Sequence, residues 1–186
     1  MVLVEKHGSD PYPIGAPIPG FENLLGTDGR AYHSTDFEQP IQVIVFTCNH
    51  CPYAVAYEDR LIQLAHDFQP QGVAFIAISA NDASNYPEDS YAAMQQRAKD
   101  KAFPFPYLYD ESQAVAKAFR AVCTPHIFVA QHGILKYRGR IDNHWRDPDA
   151  VTMHDLRDCL NALLSGQPVP QESTDPMGCS IKWKWD

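Results

Sequence analysis

The chain has 186 residues, 45% of them hydrophobic and 11% aromatic, enough to bury a core as one domain over 1–186 and too apolar for a disordered segment. With 15 Lys+Arg against 23 Asp+Glu its formal charge is -8, which argues against nucleic acid and against an anionic membrane surface as partners. Five cysteines are too few and odd in number for a small secreted disulfide scaffold.

The start, Met1 to Gly8, breaks into polar residues too soon for a secretory leader, and no run approaches the ~18 apolar residues of a membrane span. The expected compartment is therefore a reducing cytoplasm. A retained thiol pair there is catalytic, redox-sensing or metal-binding rather than structural.

Residues 1–20 carry Pro11, Pro13, Pro17 and Pro19 and predict an extended arm. Asp28-Gly29 between two short runs predicts a β-hairpin. Ile41 to Phe46 is a near-continuous apolar strand, the kind buried on both faces. After Pro52, Tyr57, Leu61, Leu64 and Phe68 recur at helical spacing, and Gln69-Pro70-Gln71-Gly72 ends that helix. Val73 to Ser79 is a second buried strand. The polar loop from Asn81 to Ser90 stands where cleft residues sit in α/β sheets, but its composition predicts a solvated turn. A helix over about 91–101 follows. A short strand at 105–109 is confined to an edge or a loop by Pro104 and Pro106. Glu111 to Arg120 predicts a helix with Val115, Ala118 and Phe119 on one side. Ile127 to Ala130 and Ile134 to Arg140 make an antiparallel pair around His132-Gly133. A last helix carries Met153, Leu156, Leu160, Leu163 and Leu164 before Gly166. The tail, 167–186, holds three prolines and then Cys179, Trp183 and Trp185. Strands alternating with helices, then a late hairpin, predict α/β layers with a mixed central sheet flanked by helices.

Cys48-Asn49-His50-Cys51 falls between a buried strand and a helix. At the helix N-terminus free N–H groups and the macrodipole favour an anion, which predicts Cys48 as the thiol with the lowered pKa. His50, when protonated, adds positive charge between the sulfurs. Cys51, inside the first turn, would resolve a mixed disulfide formed on Cys48. Pro52 costs little so early in a helix. A metal knuckle and two inert core thiols are the competing readings. One CxxC is only half of a four-cysteine zinc site, and no second CxxC exists. Thr124-Pro125 precedes a strand, where proline makes a rigid turn.

Taken together, these stretches resemble the thioredoxin superfamily, in its redoxin (AhpC/TSA-like) branch shared by peroxiredoxins and thiol-disulfide oxidoreductases. The resemblance rests on Gly15 to Phe21 with Asp28-Gly29, the strand-CxxC-Pro-helix, Val73 to Ala80, and Thr124-Pro125 with Ile127 to Val129. A narrower resemblance is to thioredoxin-family proteins sharing Phe46 to Tyr53, Asn81-Asp82 with Tyr86 to Ser90, and Gly178 to Trp183. It implies a thioredoxin-like fold with an N-terminal β-hairpin extension. It also implies that Pro125 is cis and faces the CxxC, and that Thr124 offers backbone to a substrate strand. The chain departs from thioredoxins at Thr47, where they have Trp, and at Gln42, where they have a buried acid. It departs from peroxiredoxins in both registers: their Thr and Pro fall on Val45 and Ile41, or on Cys48 and Ile44.

The implied activity is thiol-disulfide oxidoreduction by Cys48 and Cys51, supported by Thr47, Asn49, His50, Pro52, Thr124 and Pro125. It needs no cofactor and no metal. Its partners are a disulfide-bearing or oxidised substrate and a dithiol electron donor, and a homo-oligomer is compatible with it. The alternatives are a thiol peroxidase, and a copper-binding module in which His126 or His132 joins the two cysteines. Cys159 is expected in the core. Cys123, near Pro125, is expected as a buried apolar thiol. Cys179 has two readings, a tail that folds back to the redox site and a tail merely packed by its aromatics, and the second is the default. His126 is expected as a packed or surface residue.

Overall fold

The computed structural model describes residues 10–185. The first nine residues of the predicted arm, and Asp186, lie outside the described residues. Seven strands form one mixed sheet in the order β2-β1-β5-β4-β3-β7-β8. These are β1 (Leu24–Gly26), β2 (Ala31–Tyr32), β3 (Ile41–Phe46), β4 (Val73–Ser79), β5 (Tyr107–Tyr109), β7 (His126–Gln131) and β8 (Ile134–Gly139). The helices are α1 (Pro52–Phe68), α2 (Tyr91–Asp100), α3 (Ala114–Ala118) and α4 (Asp155–Leu164). Two short strands, β6 (Cys123–Thr124) and β9 (Cys179–Ser180), form a separate two-stranded sheet. Among the described residues no helix is long and apolar enough to cross a membrane.

The apolar runs of β3 and β4 are buried because both faces of the sheet are covered. On one face Val43, Val45, Phe75, Ile127 and Val129 meet Tyr57, Leu61 and Phe68 of α1 and Leu156, Leu160 and Leu163 of α4. On the other, Ile44, Phe46, Ile76, Ile78 and Phe128 meet Phe119 beyond α3, the arm residues Tyr12, Ile14 and Ile18, and Ile181 of the tail. The stripe on α1 lies inward as its spacing predicts. Gly72, at φ +84°, ends that segment where a side chain would be strained. The hairpin closes at Gly29, and β1 carries it onto β5 as part of the main sheet.

Four expectations change. β5 pairs on both sides, with β4 and with β1, because Pro104 and Pro106 precede the strand and remove no ladder donor. The third helix is shorter than 111–120. Its inward residues are Val115, Ala116 and Phe119, whereas Ala118 is exposed. The last helix begins at Asp155, leaving Met153 outside it and exposed, and Leu164 is exposed too. The tail is tethered by only one of its two tryptophans, since Trp183 packs on the core and Trp185 is 91% exposed.

The tail follows β8 through Thr174, whose N–H donates to the Arg138 carbonyl, and then crosses to β6. There Thr124 faces Cys179 and Cys123 faces Ser180. Gly178 is needed at this crossing, because a Cβ there would lie 2.1 Å from the Thr124 carbonyl oxygen. Gly178→Ala is therefore expected to push β9 off β6. Amide exchange at Ile181, which donates to Val122, should accelerate by about tenfold or more while β3 stays protected. Unchanged exchange at Ile181 would show that the crossing tolerates a methyl group.

Candidate functional site

The end of β3 and the start of β7 are neighbours, with Phe46 paired to His126. That register brings Thr47 to Cys51 beside the Thr124-Pro125 turn, whose peptide bond is cis as the resemblance implies. Thr47 is buried and continues the sheet by donating its N–H to the Ile78 carbonyl. Cys48 and Cys51 are both buried, at 2% and 0% exposure. The Cys48 sulfur lies 3.2 Å from the Thr124 hydroxyl, and the Cys51 sulfur lies 3.1 Å from the Thr124 carbonyl oxygen. The two cysteines pack together in one cluster.

The helix does not begin where the spacing predicts. Pro52 is its first residue and Cys51 is the N-cap, so Cys48 stands outside the helix. The reason is that Pro52 lacks an N–H and has a preset φ, which suits the first helical position. The electrostatics reverse with it. The hydrogen bond from Cys48 lowers the Cys51 pKa against its burial, and bonds from the Cys179 thiol and the Ala54 N–H add to this. Serving as that donor raises Cys48, and burial and the charge of Asp89 raise it further. The Thr124 carbonyl accepts the Cys51 proton when that thiol is protonated, so it works against the anion. The donors converging on Cys51 outnumber it.

Asn49 and His50 are fixed by one carboxylate. Asp89, fully buried, accepts the Asn49 backbone N–H at 2.7 Å and the Asn81 amide at 2.8 Å. Its second oxygen also meets His50 Nδ1 at 2.5 Å. The Asn49 side chain donates to the Glu88 carbonyl and accepts from the Tyr107 hydroxyl. The His50 ring stacks on Tyr86, with centroids 5.2 Å apart and planes 8° off parallel. The loop at 81–90 is thus no solvated turn. Asn81, Asp82 and Asp89 are buried, and the loop forms one wall of the site. Asp89 supplies a buried acid from this loop where the thioredoxin pattern would have placed one at Gln42. Its sequence signal was only its place after the C-terminal end of a strand.

Cys179 belongs to the site as well, against the default reading of the tail. It packs with Tyr53 against Cys48, Cys51 and Ala54. The pairing of β9 with β6 also occupies Thr124, the position expected to receive a substrate strand. Cys123 is buried as expected. Its sulfur lies 3.6 Å from the Pro125 carbonyl, and burial pushes its thiol up to about 12. Cys159 is in the core.

The residues that come together as possible metal ligands are Cys48, His50 and Asp89, with ligand atoms within 4.8 Å of one another. Neither histidine of the copper reading is in that group. His132 is exposed in the β7–β8 turn. His126 is buried, with Nδ1 accepting the Val122 N–H, and its ring lies 4.4 Å from that of Phe128.

Two titrations follow. Replacing Asp89 with Asn removes a negative charge beside Cys48. Its thiolate should then form at lower pH, read as a shift of the alkylation-rate profile; an unmoved profile would show that Asp89 acts only as a brace. Burial and the charge of Arg138 hold His126 down, to about 3. The unfolded chain takes up that proton near pH 6.5, so stability is full above about 6.5 and falls as pH drops toward 3. Between pH 7 and 5 the His126→Phe variant should lose about 2 kcal/mol less stability than the parent in urea unfolding. Equal losses would count against a neutral buried imidazole.

The family model described as AhpC/TSA family matches residues 14–138. Comparison with curated proteins gave no match. Among solved structures, an uncharacterized conserved protein from Geobacillus kaustophilus is similar at 42% identity and TM-score 0.90, with 96% of each chain covered. A hypothetical protein from Sinorhizobium meliloti 1021 is 33% identical at TM-score 0.89, covering 96% of this chain and 98% of that one. A putative thioredoxin from Neisseria meningitidis shares 23% identity at TM-score 0.56, over 68% of this chain and 79% of its own, which shows a thioredoxin-like fold. The chain belongs to the AhpC/TSA family.

Proposed function

We propose that this protein is a thiol-disulfide oxidoreductase whose working group is the Cys48–Cys51 dithiol. The observation that carries the reading is the pair itself: two buried sulfurs, packed together at a strand-to-helix junction and both held against Thr124. Family membership supports it. In the reduced state the charge rests on Cys51 and the proton on Cys48.

Cys48 attacks one sulfur of a substrate disulfide, and its proton passes to the neighbouring Cys51 sulfur. The substrate's S–S bond breaks, a Cys48 mixed disulfide forms, and the first substrate sulfur leaves as a thiolate. Cys51 then attacks Cys48 and gives its proton to the second substrate sulfur. The products are a Cys48–Cys51 disulfide, one substrate thiolate and one substrate thiol. Two electrons have moved to the substrate. A dithiol donor returns them. Thr124 contacts both sulfurs and positions them, while Asn49, His50 and Asp89 hold the connecting turn.

The test uses the interchain disulfides of insulin with dithiothreitol as donor. The protein should accelerate their reduction, and Cys48→Ser should lose at least about a hundredfold of that rate. Cys51→Ser should stop turnover and accumulate a covalent insulin-chain adduct at Cys48. Full turnover by Cys48→Ser, or no adduct on Cys51→Ser, would remove the assignment.

A further inference from the structure

We propose that Cys179 is a third redox cysteine, which exchanges with Cys51 to carry the disulfide from the buried pair to solvent, where the dithiol donor meets it. The proposal rests on the dithiol chemistry above and adds to it the route by which electrons enter.

Accessibility poses the problem. A thiol attacks a disulfide in line with the S–S bond, so the donor must reach a sulfur. Cys48 and Cys51 are 2% and 0% exposed, with Thr124 against both. Cys179 contacts the same sulfur cluster and is half-exposed. It is therefore the most open sulfur of this cluster and the first that a donor meets.

The placement of Cys179 is also built. β9 pairs antiparallel with β6, setting Cys179 opposite Thr124, whose carbonyl touches the Cys51 sulfur. Gly178 lies so close to Thr124 that no side chain fits. Beyond Cys179, Ile181 is buried and donates to the Val122 carbonyl. The Lys182 N–H donates to Asn81 Oδ1, and its carbonyl accepts from the Asp82 N–H and the Gln113 amide. The Lys184 N–H donates to Gln113 Oε1. Five hydrogen bonds thus hold a two-residue strand that pairing alone would leave marginal. Cys123, by contrast, faces the Pro125 carbonyl and is buried.

The chemistry balances without an outside oxidant. The Cys179 sulfur attacks Cys51 of the Cys48–Cys51 disulfide. The Cys48–Cys51 bond breaks, a Cys51–Cys179 bond forms, and the proton of Cys179 passes to Cys48. No electrons are gained or lost. A dithiol donor then attacks Cys179, releasing Cys51, and its second thiol attacks the mixed disulfide, releasing Cys179. The donor's two thiols become one disulfide, and all three cysteines are reduced.

Two measurements on the full chain test this. The first is disulfide mapping after stoichiometric diamide, acid quench and alkylation. The wild type should give Cys48–Cys51, and Cys48→Ser should give Cys51–Cys179 within one molecule. The second is the rate at which dithiothreitol reduces the oxidised protein, which should fall at least about tenfold in Cys179→Ser although that variant still forms Cys48–Cys51. If Cys48→Ser yields no Cys51–Cys179 link, or Cys179→Ser is reduced at the wild-type rate, the relay is overturned while the dithiol reading stands. If the wild type gives no Cys48–Cys51 disulfide, the dithiol reading itself fails, and the relay with it.

Discussion

A sulfur anion buried away from water persists only where hydrogen-bond donors replace its lost hydration. At Cys51 those donors come from three places in the chain: Cys48 before the helix, Ala54 within it, and Cys179 in the tail. What allows them to meet is the register of β3 against β7. Pairing Phe46 with His126 ends both strands at one edge, so the turn holding the cysteines and the turn holding Thr124 emerge side by side. A slip of one residue would exchange the two faces of β3, and Val43 and Val45 would trade places with Ile44 and Phe46. The two covered faces of the sheet exclude that slip, and by excluding it they fix the distances from both sulfurs to Thr124.

Three buried acids elsewhere are matched to arginines: Glu58 to Arg97, Asp142 to Arg60, and Asp155 to Arg140, whereas Asp82 and Asp110 are met by backbone N–H, amide and hydroxyl groups. Asp89 has no arginine. Its oxygens are met by a backbone N–H, an amide and His50. The charge of Asp89 reaches Cys48 and raises its thiol. That field opposes an anion on Cys48 and leaves Cys51 as the sulfur on which the charge settles. The same carboxylate fixes the backbone between the two cysteines, so one side chain holds the shape of the pair and adds to its polarity.

The parts of this arrangement that depend on local pattern were legible in the sequence. β3, β4 and α1 announce themselves by apolar runs and by the Tyr57 to Phe68 stripe. Thr124-Pro125 and the CxxC were legible as motifs. The identity of the N-cap was present too, in Pro52, but the general preference of a helix N-terminus for an anion drew attention to Cys48. Asp89 was not legible, because a polar loop reads alike whether its acid faces water or hydrogen-bonds a turn 40 residues earlier. Nor was the place of Cys179. No periodicity runs through a proline-rich tail, and its position is decided by Gly178, Ile181 and Trp183 meeting surfaces made by distant segments.

That tail changes what an incoming molecule meets. With β9 on β6, the backbone at Thr124 is already engaged, and an extended chain can add there only by displacing Cys179. Displacement must also release Ile181 from the core and Lys182 from Asn81, so it costs more than the two-residue ladder suggests. A thiol held against the pair by its own chain has an effective concentration far above that of any free thiol in dilute solution. Exchange at Cys51 is therefore biased toward the molecule's own third cysteine. A substrate competes best at Cys48, the sulfur that the tail's own exchange with Cys51 leaves out, 3.2 Å from the Thr124 hydroxyl.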